Sequence, residues 1–145
     1  MRLTQLTDYS LRVLMYLAAK PERLSTIQEI ATAYGISENH LMKVVHRLAQ
    51  NGFVETVRGR GGGLRLKGAA DGIRLGAVVR AVEEDFQIVA CFGSGDTCRI
   101  TEVCRLKGVL HQALGAFLKS LDSWTLADLV RKPKVLADAL AIEGR

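Results

Sequence analysis

The sequence has no apolar run long enough to cross a membrane. Its longest apolar run, Val13 to Ala19, has seven residues, whereas a membrane-spanning helix needs about 20. The opening stretch MRLTQLTDYS lacks the basic-then-apolar pattern of a secretory signal peptide. The sequence therefore predicts a soluble protein of the cytoplasm that does not bind membranes.

The residue sets that enzymes use for catalysis are also missing. No Ser/His/Asp combination and no pair of carboxylates has a spacing typical of nucleophilic or acid–base chemistry. The glycine-rich stretch Gly59 to Gly63 fits neither the dinucleotide-binding pattern nor the P-loop pattern. We therefore expect a protein that is not an enzyme.

Cysteine is scarce, and all of it lies in the stretch CFGSGDTCRITEVC. An odd number of cysteines in a reducing compartment argues against a disulfide scaffold. Cys91, Cys98 and Cys104 follow the spacing C-x6-C-x5-C on a loop containing Gly, Ser and Asp. Thiolates are soft ligands that select zinc, copper(I) or iron–sulfur clusters. The three cysteines therefore predict one metal centre.

Positive charge is confined to the first part of the chain. Residues 1–80 carry 12 basic against 6 acidic side chains, a net charge of +6, and residues 81–145 carry 8 against 9, a net charge of −1. We predict that residues 1–80 form a domain that binds a polyanion such as DNA. Residues 81–145 form the second part, with the cysteine loop at about 87–104.

Helical periodicity in the first part predicts a helix-turn-helix. A first helix is expected from Thr7 to Lys20, with Thr7 as its N-cap. A second begins with a capping box at Ser25 or Thr26 and ends at Gly35. Ser37 then caps a third helix. Two short helices joined by a tight turn make this motif, and its second helix enters the major groove of DNA.

A glycine-tipped β-hairpin follows in the stretch FVETVRGRGGGLRL. Beside a recognition helix, such a hairpin is a wing whose arginines suit a narrow minor groove. The predicted DNA contacts are Ser37, Asn39, His40, Lys43 and Arg47 on the helix and Arg58 and Arg60 on the wing. The alternatives are a solvated polar face and, for His40 and His46, metal ligation.

The second part is predicted to contain a helix from Ile73 to Phe86, the cysteine loop and a long helix from Cys104 to about Leu121. The apolar stripe of the long helix exceeds what one small winged domain can bury, so we expect a second copy of the chain to cover it. Thr125 and Asp128 predict a capping box, Trp124 a packing residue, and 134–142 a terminal helix. The fold class is mainly α with a small β-hairpin: a winged helix-turn-helix domain, a dimerisation helix and a cluster site on the cysteine loop.

Several motifs together resemble the iron–sulfur winged-helix transcriptional repressors. They are MRLTQLTDYSLRVLMYLA, NHLMKVVHRL, VRGRGGGLRL, the cysteine loop and CRLKGVLHQALGAFLKSLDSWTLADL, which cover almost the whole chain. The TDY at 7–9 and LDSWTLADL favour the branch that senses nitric oxide. The resemblance implies an iron–sulfur cluster, with 4Fe-4S favoured over 2Fe-2S, and a homodimer on a palindromic operator in double-stranded DNA.

The resemblance also bears on the fourth cluster ligand. Another branch of that family has a histidine three residues after the last cysteine, where this chain has Lys107, which cannot ligate. His111 lies seven residues beyond Cys104, about 10 Å along a helix. The resemblance points instead to Asp8, reaching across the dimer. Taken alone, Asp8 is better explained by its place in the first turn of a helix, where the helix dipole favours a carboxylate.

The hypothesis is a repressor in which nitric oxide attacks the cluster, the bridge through Asp8 breaks and the two recognition helices lose their spacing. A regulator of iron–sulfur homeostasis or of redox state remains open with the same architecture. From other classes, a cluster carrier or electron-transfer protein and a structural zinc site remain open. A cluster carrier would not need the basic winged half, and three cysteines fall short of the usual zinc tetrahedron.

Overall fold

The computed structural model describes residues 1–142, and in them the fold is mainly helical with one antiparallel hairpin. The elements are α1 Gln5–Ala19, α2 Ile27–Tyr34, α3 Glu38–Gln50, β1 Val54–Val57, β2 Gly63–Leu66, α4 Leu75–Val82, α5 Arg105–Asp122, α6 Leu126–Leu129 and α7 Pro133–Ala139. Short 3-10 turns lie within the cysteine loop. The predicted fold class is confirmed. None of the helices in residues 1–142 is long and apolar enough to span a membrane.

Helix α1 begins two residues earlier than predicted. Its N-cap is Thr4, which has extended backbone angles and whose hydroxyl accepts a hydrogen bond from the backbone N–H of Thr7. The prediction that Thr7 is the N-cap was wrong. Thr7 is fully buried, and its own hydroxyl donates to the carboxylate of Glu83, 76 residues away. Because the Thr7 hydroxyl bonds to a distant carboxylate, the N-cap of α1 is Thr4 and not Thr7.

The helix-turn-helix is confirmed, and local hydrogen bonds fix its ends. Thr26 and Glu29 form a reciprocal capping box at the start of α2. Gly35 ends α2 with a φ of 64°, a left-handed conformation that glycine adopts without a steric penalty. The Ser37 side chain caps α3 by accepting from the backbone N–H of His40 at 3.3 Å.

The wing is fastened to the helical body through its second strand. Val54 pairs with Leu66 and Val57 with Gly63 across the hairpin. The backbones of Leu64 and Ser25 exchange hydrogen bonds of 2.8 and 3.0 Å. A Cβ atom on Gly63 would lie 2.7 Å from the carbonyl oxygen of Ser25, which is too close. The absence of a side chain at this position therefore lets the hairpin lie against the strand-like stretch before α2.

The core is built around α1. Side chains of α1, α3, α4 and the hairpin supply most of its fully buried members, including Leu14, Leu48 and Val78. Helices α6 and α7 return to pack against α1 and contribute Leu126 and Ala137. The division of the chain into two parts at residue 80 stays a prediction. The contacts of α6 and α7 with α1 join the two predicted parts.

The second part differs from prediction in three places. The terminal helix α7 ends at Ala139 and not at residue 142. Helix α4 covers only Leu75–Val82, because Glu83 leaves helical geometry with a ψ of 131°. Trp124 was predicted to be a packing residue, but its side chain is 47% exposed in the single chain. Its backbone carbonyl accepts a hydrogen bond from the N–H of Leu75 instead. The capping box of Thr125 and Asp128 is confirmed.

The long helix matches its prediction in extent, since α5 runs from Arg105 to Asp122 and Cys104 occupies its N-cap position. None of its residues is buried in the single chain. Leu106 and Val109 are 61% and 59% exposed. Its far end is tied to α4 by two hydrogen bonds from Arg80 to the Asp122 carboxylate, at 2.6 and 2.8 Å.

Candidate functional site

The predicted DNA contacts on α3 share one exposed face. Ser37, Asn39, His40 and Lys43 are exposed, and Arg47 is half-buried. The opposite face of α3 carries the buried residues Leu41, Val44, Val45 and Leu48. Because the apolar stripe is fixed in the core, the polar side chains are held pointing away from the protein body. Side chains with donors at the start of such a helix suit base edges and phosphates.

The wing presents Arg58 and Arg60 in the same manner. Both are exposed and flank Gly59, whose φ of 99° requires glycine. Arg65, on the second strand, is occupied by an ion pair with Glu55 at 2.7 Å. The positive charge offered at the tip of the hairpin therefore comes from Arg58 and Arg60.

The start of helix α1 lies beside the recognition helix α3. The rings of Tyr9 and His40 lie 6.1 Å apart between centroids. A cavity of about 440 Å³ between the start of α1 and α3 is lined by Gln5, Leu6, Tyr9, His40, Lys43, Val44, His46, Arg47, Gln50 and Glu84. The first turns of α1 and the DNA-facing residues of α3 are therefore neighbours.

The cysteine loop holds three free thiols. Cys91 and Cys104 are half-buried and Cys98 is exposed. No three His, Cys, Asp or Glu side chains within residues 1–142 are gathered closely enough to hold a metal ion. As a donor set, three free thiols on one short loop fit an iron–sulfur cluster or zinc. The thiols would have to move together to bind either one.

Two further contacts shape this loop. The carboxylate of Asp96 accepts from the backbone N–H of Cys98 at 2.9 Å. The Thr101 hydroxyl and then this N–H hold the pKa of Asp96 below its usual value, so the loop contains a stable negative charge. The ring of Phe92, next to Cys91, stacks on His111 of α5 with centroids 3.9 Å apart. The first cysteine is therefore attached to the long helix through its neighbour.

Asp8 lies in the first turn of α1 and is paired with Arg12 on the next turn. The two side chains form contacts of 2.9 and 3.1 Å and are both almost half exposed. Arg12 also lies 5.8 and 5.9 Å from the ring centroids of Tyr9 and Tyr34. Within the single chain, Asp8 is not brought together with the cysteines as a metal-binding group.

Tyr34 anchors this arrangement to α2. Its hydroxyl donates to the backbone carbonyl of Arg12 at 2.9 Å. Burial raises the pKa of Tyr34 to about 12. The hydroxyl therefore remains protonated and keeps donating at physiological pH.

Sequence reasoning missed a hydrogen-bonded cluster made of Thr4, Thr7 and Glu83, which we call the Glu83 cluster. Its members are separated by up to 79 residues. The one available signal was the spacing of two threonines, three residues apart, at a helix start. Nothing in the sequence indicated that a carboxylate after α4 would accept from both.

An exposed recognition helix, backed by a second helix and followed by an arginine-tipped hairpin, defines a winged helix-turn-helix DNA-binding protein. The Rrf2 family model, described as an iron-dependent transcriptional regulator, matches residues 3–132. The chain belongs to the Rrf2 family of transcriptional regulators.

Similar proteins support this assignment over nearly the full length. The HTH-type transcriptional regulator NsrR of Bacillus subtilis strain 168 is 52% identical over 145 residues, which covers 99% of both chains. NsrR of Geobacillus kaustophilus is 51% identical over 132 residues, covering 90% of both.

Solved structures agree with the fold. The structure titled T. potens IscR is 26% identical, has a TM-score of 0.72 and covers 100% of this chain and 93% of its own. The global cysteine regulator CymR of B. subtilis is also 26% identical, with a TM-score of 0.69 and coverage of 90% and 97%. The chain is thus a DNA-binding transcriptional repressor with a winged-helix fold, in a family whose members are typically dimeric.

Proposed function

We propose that this repressor senses nitric oxide through an iron–sulfur cluster bound by Cys91, Cys98 and Cys104. The observation that carries the proposal is that every cysteine of the chain lies free on one loop beside α5. The DNA-binding half, in contrast, is already packed around its own core. Similarity to regulators named NsrR supports the choice of signal. Such a protein works in the cytoplasm, where its operator is.

The chain's own residues define what the cluster would control. The three thiolates would draw the turns at Ala90–Phe92 and Thr101–Val103 together. When bound, an iron–sulfur cluster supplies iron sites that react with nitric oxide. The ends of the loop lead to α4 on one side and α5 on the other. A change in the loop therefore acts on both helices.

Asp8 of a second copy of the chain is the proposed fourth ligand. Its present partner is Arg12, in a solvent-exposed pair. Exposed pairs of this kind contribute only about 0–1 kcal/mol. Losing the ion pair with Arg12 would therefore cost Asp8 little free energy. As an oxygen ligand on one iron, Asp8 would also be easily displaced.

A second copy is also required by α5. Its apolar residues Leu106 and Val109 are exposed in the single chain. Pairing of two α5 helices would cover them and set the two recognition helices about 34 Å apart, which matches successive major grooves of a palindromic operator. Loss of the Asp8 bridge would relax that spacing and release the DNA.

Operator binding tests the proposal directly. Fluorescence anisotropy would compare the anaerobically purified cluster-loaded protein, the same sample after exposure to nitric oxide, and Cys98→Ala, which lacks one thiolate. We expect the loaded protein to bind about 100-fold more tightly than either of the others, a factor typical of allosteric coupling. Equal affinity in all three samples would remove the sensor role.

The nature of the cofactor is tested by analysis of the same preparation. Four iron atoms and four acid-labile sulfides per chain, rather than two of each, would support 4Fe-4S over 2Fe-2S. A colourless protein with stoichiometric zinc would overturn the proposal in favour of a structural zinc site.

Asp8→Ala tests the fourth ligand. We expect the three thiolates still to assemble the cluster, but with an altered visible circular dichroism spectrum and a changed rate of reaction with nitric oxide. Asp71→Ala, which removes an exposed carboxylate elsewhere in the DNA-binding half, is the matched control. A spectrum and rate identical to those of the control would exclude Asp8 as a ligand.

A further inference from the structure

The Glu83 cluster joins two segments that are far apart in sequence. The Glu83 carboxylate accepts from the backbone N–H of Thr4 at 3.2 and 3.3 Å and from the Thr4 hydroxyl at 3.1 Å. It also accepts from the hydroxyl of the fully buried Thr7. Hydrogen bonds to an ionised acceptor are roughly twice as strong as neutral ones. One side chain therefore holds the whole first turn of α1.

Glu83 stands where the sensor loop leaves the DNA-binding half. Its backbone N–H closes α4 by donating to the carbonyl of Val79 at 2.9 Å, and its own backbone then turns to extended geometry. The chain continues through 84–89 into Cys91. Residues 1–4, residues 83–89 and the Leu110, Leu114 and Phe117 side chains of α5 line a common cavity of about 750 Å³. The start of α1, the entry to the loop and α5 thus meet at one place.

The start of α1 also carries Asp8, the proposed fourth ligand, and Tyr9, which lies beside the recognition helix. Asp8 directly follows Thr7, and its backbone N–H donates to the carbonyl of Thr4 at 3.0 Å. Tyr9 comes next and contacts His40 on α3. A shift of Thr4 and Thr7 would therefore move Asp8 and Tyr9 together.

We propose that Glu83 is the positioning residue that transmits the state of the cysteine loop to α1 and, through Tyr9, to the recognition helix. Glu83 contacts neither the DNA nor the thiols in this role. Through its bonds to Thr4 and Thr7, it makes the first turn of α1 move with the start of the cysteine loop. A rearrangement of the loop therefore changes the positions of both Asp8 and α3. This inference rests on the proposed function, since it presumes that the loop has two states.

The test is the ratio of operator affinities of the cluster-loaded and cluster-free forms, measured by anisotropy for Glu83→Ala and Glu83→Gln. We expect wild type to show a ratio of about 100 and Glu83→Ala a ratio near 1, with visible absorbance showing that the three cysteines still hold their cluster. Glu83→Gln should fall between them, because the amide keeps one acceptor oxygen but replaces the other with a donor.

Glu22→Ala is the matched control. Glu22 is an exposed acid in the turn after α1, so its replacement removes the same charge without touching Thr4, Thr7 or the cavity at the loop entry. It should keep the wild-type ratio. A role of Glu83 that came only from net charge would lower the ratio in both variants and would overturn the inference.

Thr7→Val keeps the test decisive if Glu83→Ala does not fold. It deletes the hydroxyl from the other side of the contact while preserving buried volume, and it should lower the ratio as Glu83→Gln does. Adding Glu83→Gln to Thr7→Val should then change little, because both act on one contact. If Thr7→Val and Glu83→Gln keep the wild-type affinity ratio, the role of Glu83 is excluded and the proposed function stands. If the wild-type protein itself shows a ratio of 1, the proposed function is excluded.

Discussion

The winged helix-turn-helix region, residues 5–82, and the cysteine-loop region, residues 83–122, differ in how far a single chain completes their cores. The former has fully buried side chains in α1, α3 and α4. The latter contains an 18-residue helix without one buried residue and three thiols that are not gathered. Both regions carry apolar residues at helical spacing. The difference teaches that periodicity predicts which face is covered but not whether the cover lies in the same chain.

The largest expected effect comes from opening the core of the winged helix-turn-helix region. Leu48→Ala removes a fully buried side chain of α3 and should lower the free energy of unfolding by about 2–5 kcal/mol. Urea denaturation followed by circular dichroism measures the loss. Met42→Ala on the same helix, where the side chain is 57% exposed, should change it by less than about 0.5 kcal/mol. Equal losses would mean that α3 is not packed as described.

The cysteine-loop region should respond to a comparable change by losing its dimer partner and keeping its fold. Val109→Glu places a charge on the exposed apolar face of α5. If a second copy covers this face, an unpaired buried charge costs on the order of 3 kcal/mol and raises the dimer dissociation constant about 100-fold. Sedimentation velocity measures this, with Lys119→Glu at an exposed polar position as control. A dimer of unchanged affinity would place the subunit contact elsewhere.

The wing offers a smaller effect confined to DNA. Arg60→Ala should weaken operator binding about tenfold and reduce the slope of log affinity against log salt concentration by about 1, since one cationic contact is lost. Anisotropy titrations at several salt concentrations give both values. Arg131→Ala removes the same charge at an exposed site after α6 and should leave the slope unchanged. Equal slopes for the two variants would exclude the wing from the interface.

The smallest effect concerns the ion pair that joins the two regions. Arg80 donates to Asp122 and holds its carboxyl pKa below the usual value. A carboxyl whose pKa is lowered by folding stabilises the folded state above its unfolded pKa, and this contribution disappears as the pH falls through the folded pKa. Asp122→Asn should therefore unfold at a slightly lower temperature than wild type at pH 7, and the difference should vanish in acid. A difference that persists in strong acid would have another origin. The pair is exposed, so the shift should be small.

Much of the winged helix-turn-helix region could be predicted because its signals are local. Thr26 and Ser37 cap helices through bonds to residues three positions away, as Thr125 does at the start of α6. Gly59 and Gly61 have positive φ angles in the hairpin, as a glycine-rich tip implies. These features depend on neighbours in sequence, which a single sequence displays.

The predictions that were wrong involve distant partners. Thr7 satisfies the pattern of an N-cap, but the Glu83 carboxylate takes its hydroxyl and Thr4 becomes the cap. Helix α4 ends at Val82, directly before Glu83, although the apolar periodicity predicted a helix continuing to Phe86. Trp124 is 47% exposed in the single chain, and its link to α4 is a backbone hydrogen bond from the N–H of Leu75. The thiol assembly and its fourth ligand stay predictions, because they require atoms beyond one chain.

Because α6 and α7 return to pack against α1, the cysteine-loop region is an insertion whose two ends join the same helical body. The segment leaves that body at the end of α4 and rejoins it where Leu126 donates to the carbonyl of Ile73 at 2.8 Å. An inserted segment anchored at both ends can be lengthened, shortened or given other ligands while the surrounding fold keeps its contacts. In a shortened protein ending after α5, α1 would lose its contacts with α6 and α7. The winged helix-turn-helix region would therefore be less stable.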